Sequence, residues 1–153
     1  MAISKVVSVT SQMGGDFRIE SQLGNHTVII DQPKSAGGQD AGPTPLDYFL
    51  FSLGGCVATV GRIVAKQEKI DLRGMKVIIE AGMNPDGLMG KFSEDPIGFQ
   101  GFDIKAEIDA DMTDEEKQIF LDLVCARCPV HDNIIRLSVV SHTVKASADT
   151  EPA

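Results

Sequence analysis

The feature that most constrains this chain is a run of 14 almost entirely apolar residues, Tyr48–Gly61. The residues just before it are typical of a helix start, with Thr44 as the N-cap, Pro45 at the first helical position and Asp47 three residues after the cap. The pattern predicts one helix that continues to about Lys69 and is buried on most sides. Because 14 residues are too few to cross a bilayer, we expect a core helix.

The remaining segments alternate between predicted strands and predicted helices. The predicted strands span residues 3–11, 17–22, 26–31, 72–81, 102–110 and 138–148. The predicted helices beyond the first span residues 114–127, behind a capping box, and 128–137. This order predicts an α+β fold with antiparallel pairing, organised as a single domain over residues 1–148 with a short C-terminal tail at 149–153.

Charge and composition exclude several classes of partner. The net charge of −8 disfavours binding to nucleic acid or to an anionic membrane surface. The start of the chain, MAISKVVSVT, lacks the long apolar core of a signal peptide, so we expect a cytoplasmic protein. In that compartment, three cysteines indicate catalysis, redox sensing or metal binding rather than a structural disulfide.

Cys128 is the cysteine that local physics favours as a reactive thiol. It lies at the predicted start of a helix, where free backbone N–H groups stabilise a thiolate and lower its pKa. Arg127 is its neighbour, and His131 is either a proton carrier for the thiol or an ordinary residue of the first helical turn. Cys56, in the middle of the apolar helix, is by default a small buried side chain.

Cys125 and Cys128 also form the motif C-A-R-C. The motif is weak, because in thioredoxin-like proteins it follows a strand, whereas here it follows a predicted helix. Together with Cys56 and His131, the two cysteines could supply four ligands to a zinc ion. Alternatively, Cys125 is a packing residue of its helix. The residues alone leave these hypotheses open.

Small residues recur at helical spacing along one stripe of the first helix: Gly54, Ala58, Gly61 and Ala65. Such a stripe allows a close approach by another element. A second copy of the chain is the natural candidate in a protein of this length, and the alternative is close packing on the chain's own sheet.

Two segments, GGQDAGPTPLDYFLFSLGGCVATV at 37–60 and CPVH at 128–131, resemble the OsmC/Ohr superfamily, and specifically its OsmC-like branch. The resemblance implies an intertwined homodimer, in which antiparallel sheets wrap around long central helices and the active site lies at the subunit interface. It also implies a thiol peroxidase that acts on small organic hydroperoxides in oxidative-stress defence, without a metal or other cofactor. By this likeness Cys56 corresponds to the peroxidatic cysteine and Cys128 to the resolving cysteine, and a dithiol reductant resets the enzyme.

The chain departs from that family at the groups that activate the first cysteine. The peroxidases carry a glutamate ten residues before it, where this chain has Leu46, and Asp47 is the next residue. Their activating arginine follows a Gly-Gly pair, where this chain has Asp16. The nearest candidates for that role are Arg18 and Arg62.

An apolar substrate pocket is expected from Tyr48, Phe49, Phe51 and Leu53. Such a pocket is consistent with a preference for organic hydroperoxides over hydrogen peroxide. The departures at Leu46 and Asp16 favour a second hypothesis, a non-catalytic dimer of the same fold that binds a small apolar ligand or senses redox state.

Overall fold

The structure, a computed structural model, describes residues 4–145 and has the predicted α+β architecture. Two small antiparallel sheets and three α-helices make up this range, together with a short 3₁₀ turn at Lys34–Ala36. The strands are β1 Thr10–Met13, β2 Ile19–Leu23, β3 His26–Ile30, β4 Gly74–Glu80 and β5 Asp103–Asp109. The helices are α1 Pro45–Gln67, α2 Asp114–Ala126 and α3 Pro129–Ile135.

The first sheet has the order β1-β2-β3 and contains the predicted hairpin. Leu23 lies opposite His26, and Gly24 takes the left-handed φ of 58° that the two-residue turn requires. The strand predicted over 3–11 is wrong for residues 4–9, since β1 begins at Thr10. Thr10 lies opposite Gln22, one residue before the end of β2, so within residues 4–145 the segment before Thr10 extends past the strand with which β1 pairs. Residue 3 lies outside the described range.

The second sheet pairs β4 and β5 over their whole lengths. Gly74 lies opposite Asp109, and Glu80 lies opposite Asp103. Along β5, exposed charged residues alternate with partly or fully buried apolar ones, ending in the buried Ile108. The alternating pattern therefore predicted this half-buried strand correctly.

The start of α1 has the predicted capping box. Thr44 Oγ1 accepts a hydrogen bond from the Asp47 N–H (3.3 Å), and Asp47 Oδ2 accepts one from the Thr44 N–H (2.9 Å). The Thr44 hydroxyl also donates to Asp47 Oδ2 (2.6 Å), and this bond, followed by that of the Thr44 N–H, holds the pKa of Asp47 below its usual value. The helix ends at Gln67, two residues before the predicted end, because Lys69 takes a left-handed φ of 57°.

The core forms where α1 packs against β4, α2 and α3. Its fully or nearly buried residues are Leu53, Val57, Val60, Val64, Ala65, Leu72, Ile108, Ala110, Phe120, Val124 and Cys128. Five of these eleven belong to α1, so this helix supplies more of the core than any other element.

The small-residue stripe of α1 is covered by the chain's own sheet. A Cβ atom at Gly61 would lie 2.7 Å from Met75 Sδ, and one at Gly54 would lie 3.5 Å from Ile79 Cγ1. Met75 and Ile79 both belong to β4. The expectation that this stripe accepts a helix of a second copy is therefore corrected: the glycines let β4 approach α1.

An 18-residue window of α1 has a mean hydropathy of 1.5, so by length and composition alone this helix could cross a membrane. A third of the window is buried in the chain, and its buried side chains form the centre of the core. Because the core helix of a globular domain has the same length and composition, these properties do not by themselves indicate a membrane span.

The loop between β3 and α1, which carries the first half of the family-like motif, is organised by Asp31. This carboxylate is buried, with 1% of the residue exposed. It accepts hydrogen bonds from the backbone N–H groups of Gln32 (2.7 Å), Gln39 (3.1 Å) and Ala41 (3.0 Å). The Ala41 bond above all holds the pKa of Asp31 below its usual value.

Two glycines of the same loop allow the backbone to approach itself closely. A Cβ atom at Gly38 would lie 1.9 Å from the Gln32 carbonyl oxygen, and one at Gly42 would lie 2.4 Å from that of Ile29. Asp40 between them takes a left-handed φ of 58°. The glycine and aspartate positions of the motif are thus explained by the shape of the loop.

The closing strand predicted over 138–148 is absent from residues 138–145. Leu137, Val139, Val140 and Val144 are between 71% and 104% exposed. An isolated extended segment has no partner for its backbone hydrogen bonds, and in the described chain no strand lies beside it. Residues 146–148 and the predicted tail at 149–153 lie outside the described range.

Candidate functional site: a pair of thiols between two helices

The packing of α1 against α3 brings Cys56 and Cys128 together. Cys56 lies partly buried in the middle of α1, and Cys128 is the N-cap of α3 with no exposed surface. The two residues are 72 positions apart in the sequence, yet Cys56 packs against the core cluster that contains Cys128 and is close enough to raise the pKa of the Cys128 thiol. Both are free thiols. The fold therefore brings the two cysteines into the same part of the core, at the contact between α1 and α3.

The position of Cys128 follows from the local sequence. Pro129 at the first position of α3 disfavours helical geometry in the residue before it, and Cys128 takes an extended conformation. On the other side of the junction, Arg127 donates from Nη1 to Gln67 Oε1 at the end of α1 (2.8 Å). Arg127 thus ties the α2–α3 junction to α1. Gln67 was not among the candidate residues, and its contact gave no signal in the sequence.

The environment of Cys128 disfavours its thiolate. Burial is the main cause that raises the pKa of Cys128, and the neighbouring Cys56 thiol raises it further. The N–H groups of His131, 3.4 Å from Sγ, and Val130 act in the opposite direction and do not outweigh it. The prediction that the helix start lowers the pKa of Cys128 is therefore wrong. Burial removes the water that would solvate the thiolate, and this destabilises the thiolate by more than the two N–H groups stabilise it.

Cys125 lies in the last turn of α2 and is partly buried. The Cys128 N–H donates to the Cys125 carbonyl oxygen (3.2 Å), so the two ends of the C-A-R-C motif meet in a tight turn. Burial and the negative charge of Asp122 raise the pKa of the Cys125 thiol.

His131 follows Cys128 by one turn and is partly buried. Its Nδ1 atom is buried and has no hydrogen-bond partner among the described residues. The ring is thus more enclosed than that of an ordinary surface residue in a first turn. Its role as a proton carrier stays a prediction.

The two candidate activating arginines have other partners. Arg18 Nη2 lies 2.8 Å from Glu20 Oε1, and Arg62 Nη1 donates to the Leu72 carbonyl oxygen (2.5 Å). Six residues along an α-helix correspond to about 240° of rotation, so Arg62 leaves α1 on a different side from Cys56. Among residues 4–145, no arginine is hydrogen-bonded to Cys56.

The four residues predicted to line an apolar pocket do not share one cavity. Leu53 is fully buried in the core, so its assignment as a pocket residue is corrected. Phe49 stacks on Phe99 (6.0 Å between ring centroids) and also contacts Phe102. The Tyr48 hydroxyl donates to a main-chain carbonyl of β3 (2.8 Å).

Phe51, by contrast, lines an open cavity beside the first cysteine. The cavity has a volume of about 350 Å³ and lies between Phe51, Gly54 and Gly55 of α1 and Val77 and Ile79 of β4. Gly55 directly precedes Cys56 in α1. Asp47 also borders the cavity, but its carboxylate is engaged by the backbone N–H and the hydroxyl of the N-cap residue.

The zinc hypothesis finds no support in the geometry. Across the described range, His, Cys, Asp and Glu side chains form no group of three or more that could hold a metal ion. Cys56, Cys125, Cys128 and His131 therefore do not form a four-ligand set.

Comparison with known proteins gives consistent matches along most of the chain. A curated relative, the hydroperoxide reductase of Mycoplasma genitalium, is 26% identical over 133 residues, which cover 86% of this chain and 89% of that protein. The solved structure of an OsmC-like protein from Mycoplasma pneumoniae superposes with a TM-score of 0.74 at 19% identity, over 86% of this chain and 89% of that one.

A further solved structure, an organic hydroperoxide resistance protein OsmC from Legionella pneumophila, superposes with a TM-score of 0.66 at 20% identity. The match covers 88% of this chain and 92% of that one. The sequence model of the family described as "OsmC-like protein" matches residues 37–145, which include both cysteines of the thiol pair. By this match the chain belongs to the OsmC-like protein family.

Proposed function

We propose that the chain is a cysteine-based thiol peroxidase that reduces organic hydroperoxides in oxidative-stress defence. The observation that carries this proposal is the proximity of Cys56 and Cys128 where α1 packs against α3, which also raises the pKa of Cys128. The names of the relatives from Mycoplasma genitalium and Legionella pneumophila support the substrate class.

The proposed reaction uses the two thiols in turn. The Cys56 thiolate attacks the distal oxygen of the hydroperoxide, the O–O bond breaks, and the alcohol leaves after taking up a proton, so that Cys56 becomes a sulfenic acid. Cys128 then attacks the sulfenic sulfur, and water leaves as the disulfide forms. An external dithiol reduces this disulfide and is itself oxidised, which restores both thiols.

The surroundings of the two thiols support this order. Cys56 is partly exposed and follows Gly55, which borders the open cavity, whereas Cys128 has no exposed surface. A hydroperoxide can therefore reach Cys56 more easily than Cys128. The raised pKa of Cys128 also makes it the poorer first nucleophile at neutral pH.

We also propose that the working form is a cytoplasmic homodimer. The described chain exposes large apolar side chains on several elements, including Phe51 (72%), Ile119 (69%) and Leu137 (104%). Extended apolar surface of this kind is unusual on a monomer and indicates an interface. A second copy would cover such surface near the cavity beside Cys56.

A second candidate function is a redox sensor without efficient turnover. The observation that favours it is that both candidate arginines, Arg18 and Arg62, have partners elsewhere and neither is hydrogen-bonded to Cys56 within the described residues. In this case Cys56 would still form a disulfide with Cys128, but slowly and without repeated cycles.

The deciding measurement is the consumption of an organic hydroperoxide by the pure protein with a dithiol present, with hydrogen peroxide tested alongside. We expect rapid turnover with the organic substrate, and loss of turnover to background in Cys56→Ser. Thr59→Ser, on the same helix, is the matched control, because it places a serine on α1 without removing a thiol. Unchanged turnover in Cys56→Ser would exclude the proposed mechanism, and a single slow oxidation would favour the sensor.

A further inference from the structure

The proposed reaction leaves Cys125 without a role, although it lies next to the resolving thiol. The Cys128 N–H donates to the Cys125 carbonyl oxygen (3.2 Å). A turn closed in this way brings the two Cα atoms within about 7 Å of each other. Disulfides join Cα atoms that are about 4.4–6.8 Å apart, so this separation suits a disulfide. Cys128 thus has one thiol beside it from α1, Cys56, and a second from α2, Cys125.

The three thiols differ in how easily an external reductant can reach them. Cys128 is completely buried, so a dithiol cannot attack its sulfur directly. Cys56 and Cys125 are both partly exposed, but on different helices: Cys56 lies in α1 and Cys125 in the last turn of α2. Arg127, which lies between the two cysteines of the motif, is held by Gln67, so the junction presents Cys125 in a fixed position.

We propose that Cys125 takes over the disulfide from Cys56, so that the protein is reduced at the α2–α3 junction. The Cys125 thiolate attacks Sγ of Cys128 in the Cys56–Cys128 disulfide. The Cys125–Cys128 bond forms, the Cys56–Cys128 bond breaks, and Cys56 leaves as a thiolate that takes up the proton released by Cys125. The exchange involves no net oxidation or reduction. This inference rests on the proposed function, which supplies the first disulfide.

Such an exchange would separate the two half-reactions in space. Cys56 returns to its reduced state beside the cavity as soon as the exchange is complete. The external dithiol then attacks the Cys125 sulfur, breaks the Cys125–Cys128 bond and leaves as its own disulfide. Hydroperoxide and reductant would thus meet the protein at different surfaces and would not compete for one site.

Asp122, three residues before Cys125 on α2, contributes to the rate of the exchange. Burial, and after it the negative charge of Asp122, raises the pKa of Cys125 and lowers the fraction present as thiolate at neutral pH. The rate of the exchange therefore rises with pH. Replacing the carboxylate by an amide in Asp122→Asn removes that charge and increases the rate at a fixed neutral pH. The change in rate at fixed pH is a readout that a purely structural role of Asp122 would not produce.

The experiment treats the full-length protein with one equivalent of an organic hydroperoxide in the absence of dithiol. Samples are quenched over time with a thiol-alkylating reagent, which blocks the free thiols and prevents further exchange, and are then digested with trypsin at mildly alkaline pH. Because Arg127 separates the cysteines of the motif, trypsin places Cys125 and Cys128 on different peptides, so each disulfide has its own mass. We expect Cys56–Cys128 to form first and then to decay as Cys125–Cys128 accumulates.

Three variants make the experiment specific. Cys125→Ser should stop the reaction at the Cys56–Cys128 disulfide. Asp122→Asn should shorten the second phase severalfold. Ala126→Ser, the matched control, adds a serine beside Cys125 and keeps all three thiols, so it should follow the wild-type time course.

The outcomes separate this inference from the function on which it rests. A Cys56–Cys128 disulfide that persists in the wild-type protein while hydroperoxide is consumed would overturn the exchange and leave the peroxidase intact. If hydroperoxide is not consumed at all, the proposed function fails. Oxidation with diamide, followed by the same peptide mapping over time, then tests the exchange independently: a Cys56–Cys128 product that converts to Cys125–Cys128 supports it, and a stable Cys56–Cys128 product refutes it.

Discussion

Replacing Gly38 by alanine tests whether the glycine-rich motif before α1 is structural. The new Cβ atom would lie 1.9 Å from the Gln32 carbonyl oxygen and 2.8 Å from Asp31 Oδ1. Relief of this clash requires the backbone to move by roughly 1.5 Å, since ordinary van der Waals contact begins at 3.4 Å. The Gln32 oxygen accepts the Asp40 N–H at 3.0 Å, and Asp31 holds two further N–H groups across the loop.

We expect the displacement to break about three of these hydrogen bonds. At about 1 kcal/mol for each, Gly38→Ala lowers the free energy of unfolding by about 3 kcal/mol. For a domain of this size, that corresponds to a decrease in melting temperature of about 6–12 °C. The matched control is Gly101→Ala, because a Cβ atom there has no neighbour within 4 Å.

The melting temperatures of Gly38→Ala and Gly101→Ala are compared by circular dichroism. Hydroperoxide consumption per folded molecule is measured for the same two proteins. Equal melting temperatures for Gly38→Ala and Gly101→Ala would refute the steric argument. A Gly38→Ala protein of wild-type stability that has lost hydroperoxide consumption would show that the motif takes part in the chemistry.

Two further predictions concern burial. Leu53→Ala should lower the free energy of unfolding by about 2–5 kcal/mol, whereas Phe51→Ala, two residues away and 72% exposed, should change it by less than about 0.5 kcal/mol. Urea unfolding of both variants measures these changes, and similar decreases in the two would contradict the core assignment of Leu53. Burial and Cys56 raise the pKa of Cys128 in the folded protein. The contribution of Cys128 to stability should therefore be complete below the unfolded pKa, whose ordinary value is 9.0, and should be lost as pH rises beyond it. Urea midpoints between pH 8 and about 10.5 measure this loss, which should be smaller in Cys128→Ala; equal slopes in the two proteins would count against the raised pKa.

Features determined by neighbouring residues were predictable from the sequence. The capping box of Thr44 and Asp47 and the alternating strand β5 depend on contacts within a few residues or on one periodic pattern. The loop organised by Asp31 left a weaker signal, an acidic residue between a strand and a glycine-rich loop. Its three hydrogen bonds became visible only in the structure.

Features that depend on distant parts of the chain were not predictable in this way. The pKa of Cys128 was misjudged because its helix start is visible in the sequence, whereas its complete burial arises from packing against α1. The sequence also does not show which element packs on the stripe at Gly54 and Gly61. Small residues indicate that some element packs closely against α1, but they do not identify it as β4. The meeting of Cys56 with Cys128 was expected through the family resemblance, and spacing alone did not indicate it.

The 72-residue separation of Cys56 and Cys128 has a thermodynamic consequence for the oxidised protein. A disulfide between them closes a long ring and removes entropy from the unfolded chain. In the chain-entropy treatment, this ring raises the free energy of unfolding by about 4 kcal/mol, whereas the four-residue ring of Cys125–Cys128 contributes only about 2 kcal/mol. Each round of oxidation and reduction would therefore alternately tighten and loosen the whole domain. The resistance of the protein to heat and proteases would then report the redox state of its thiols.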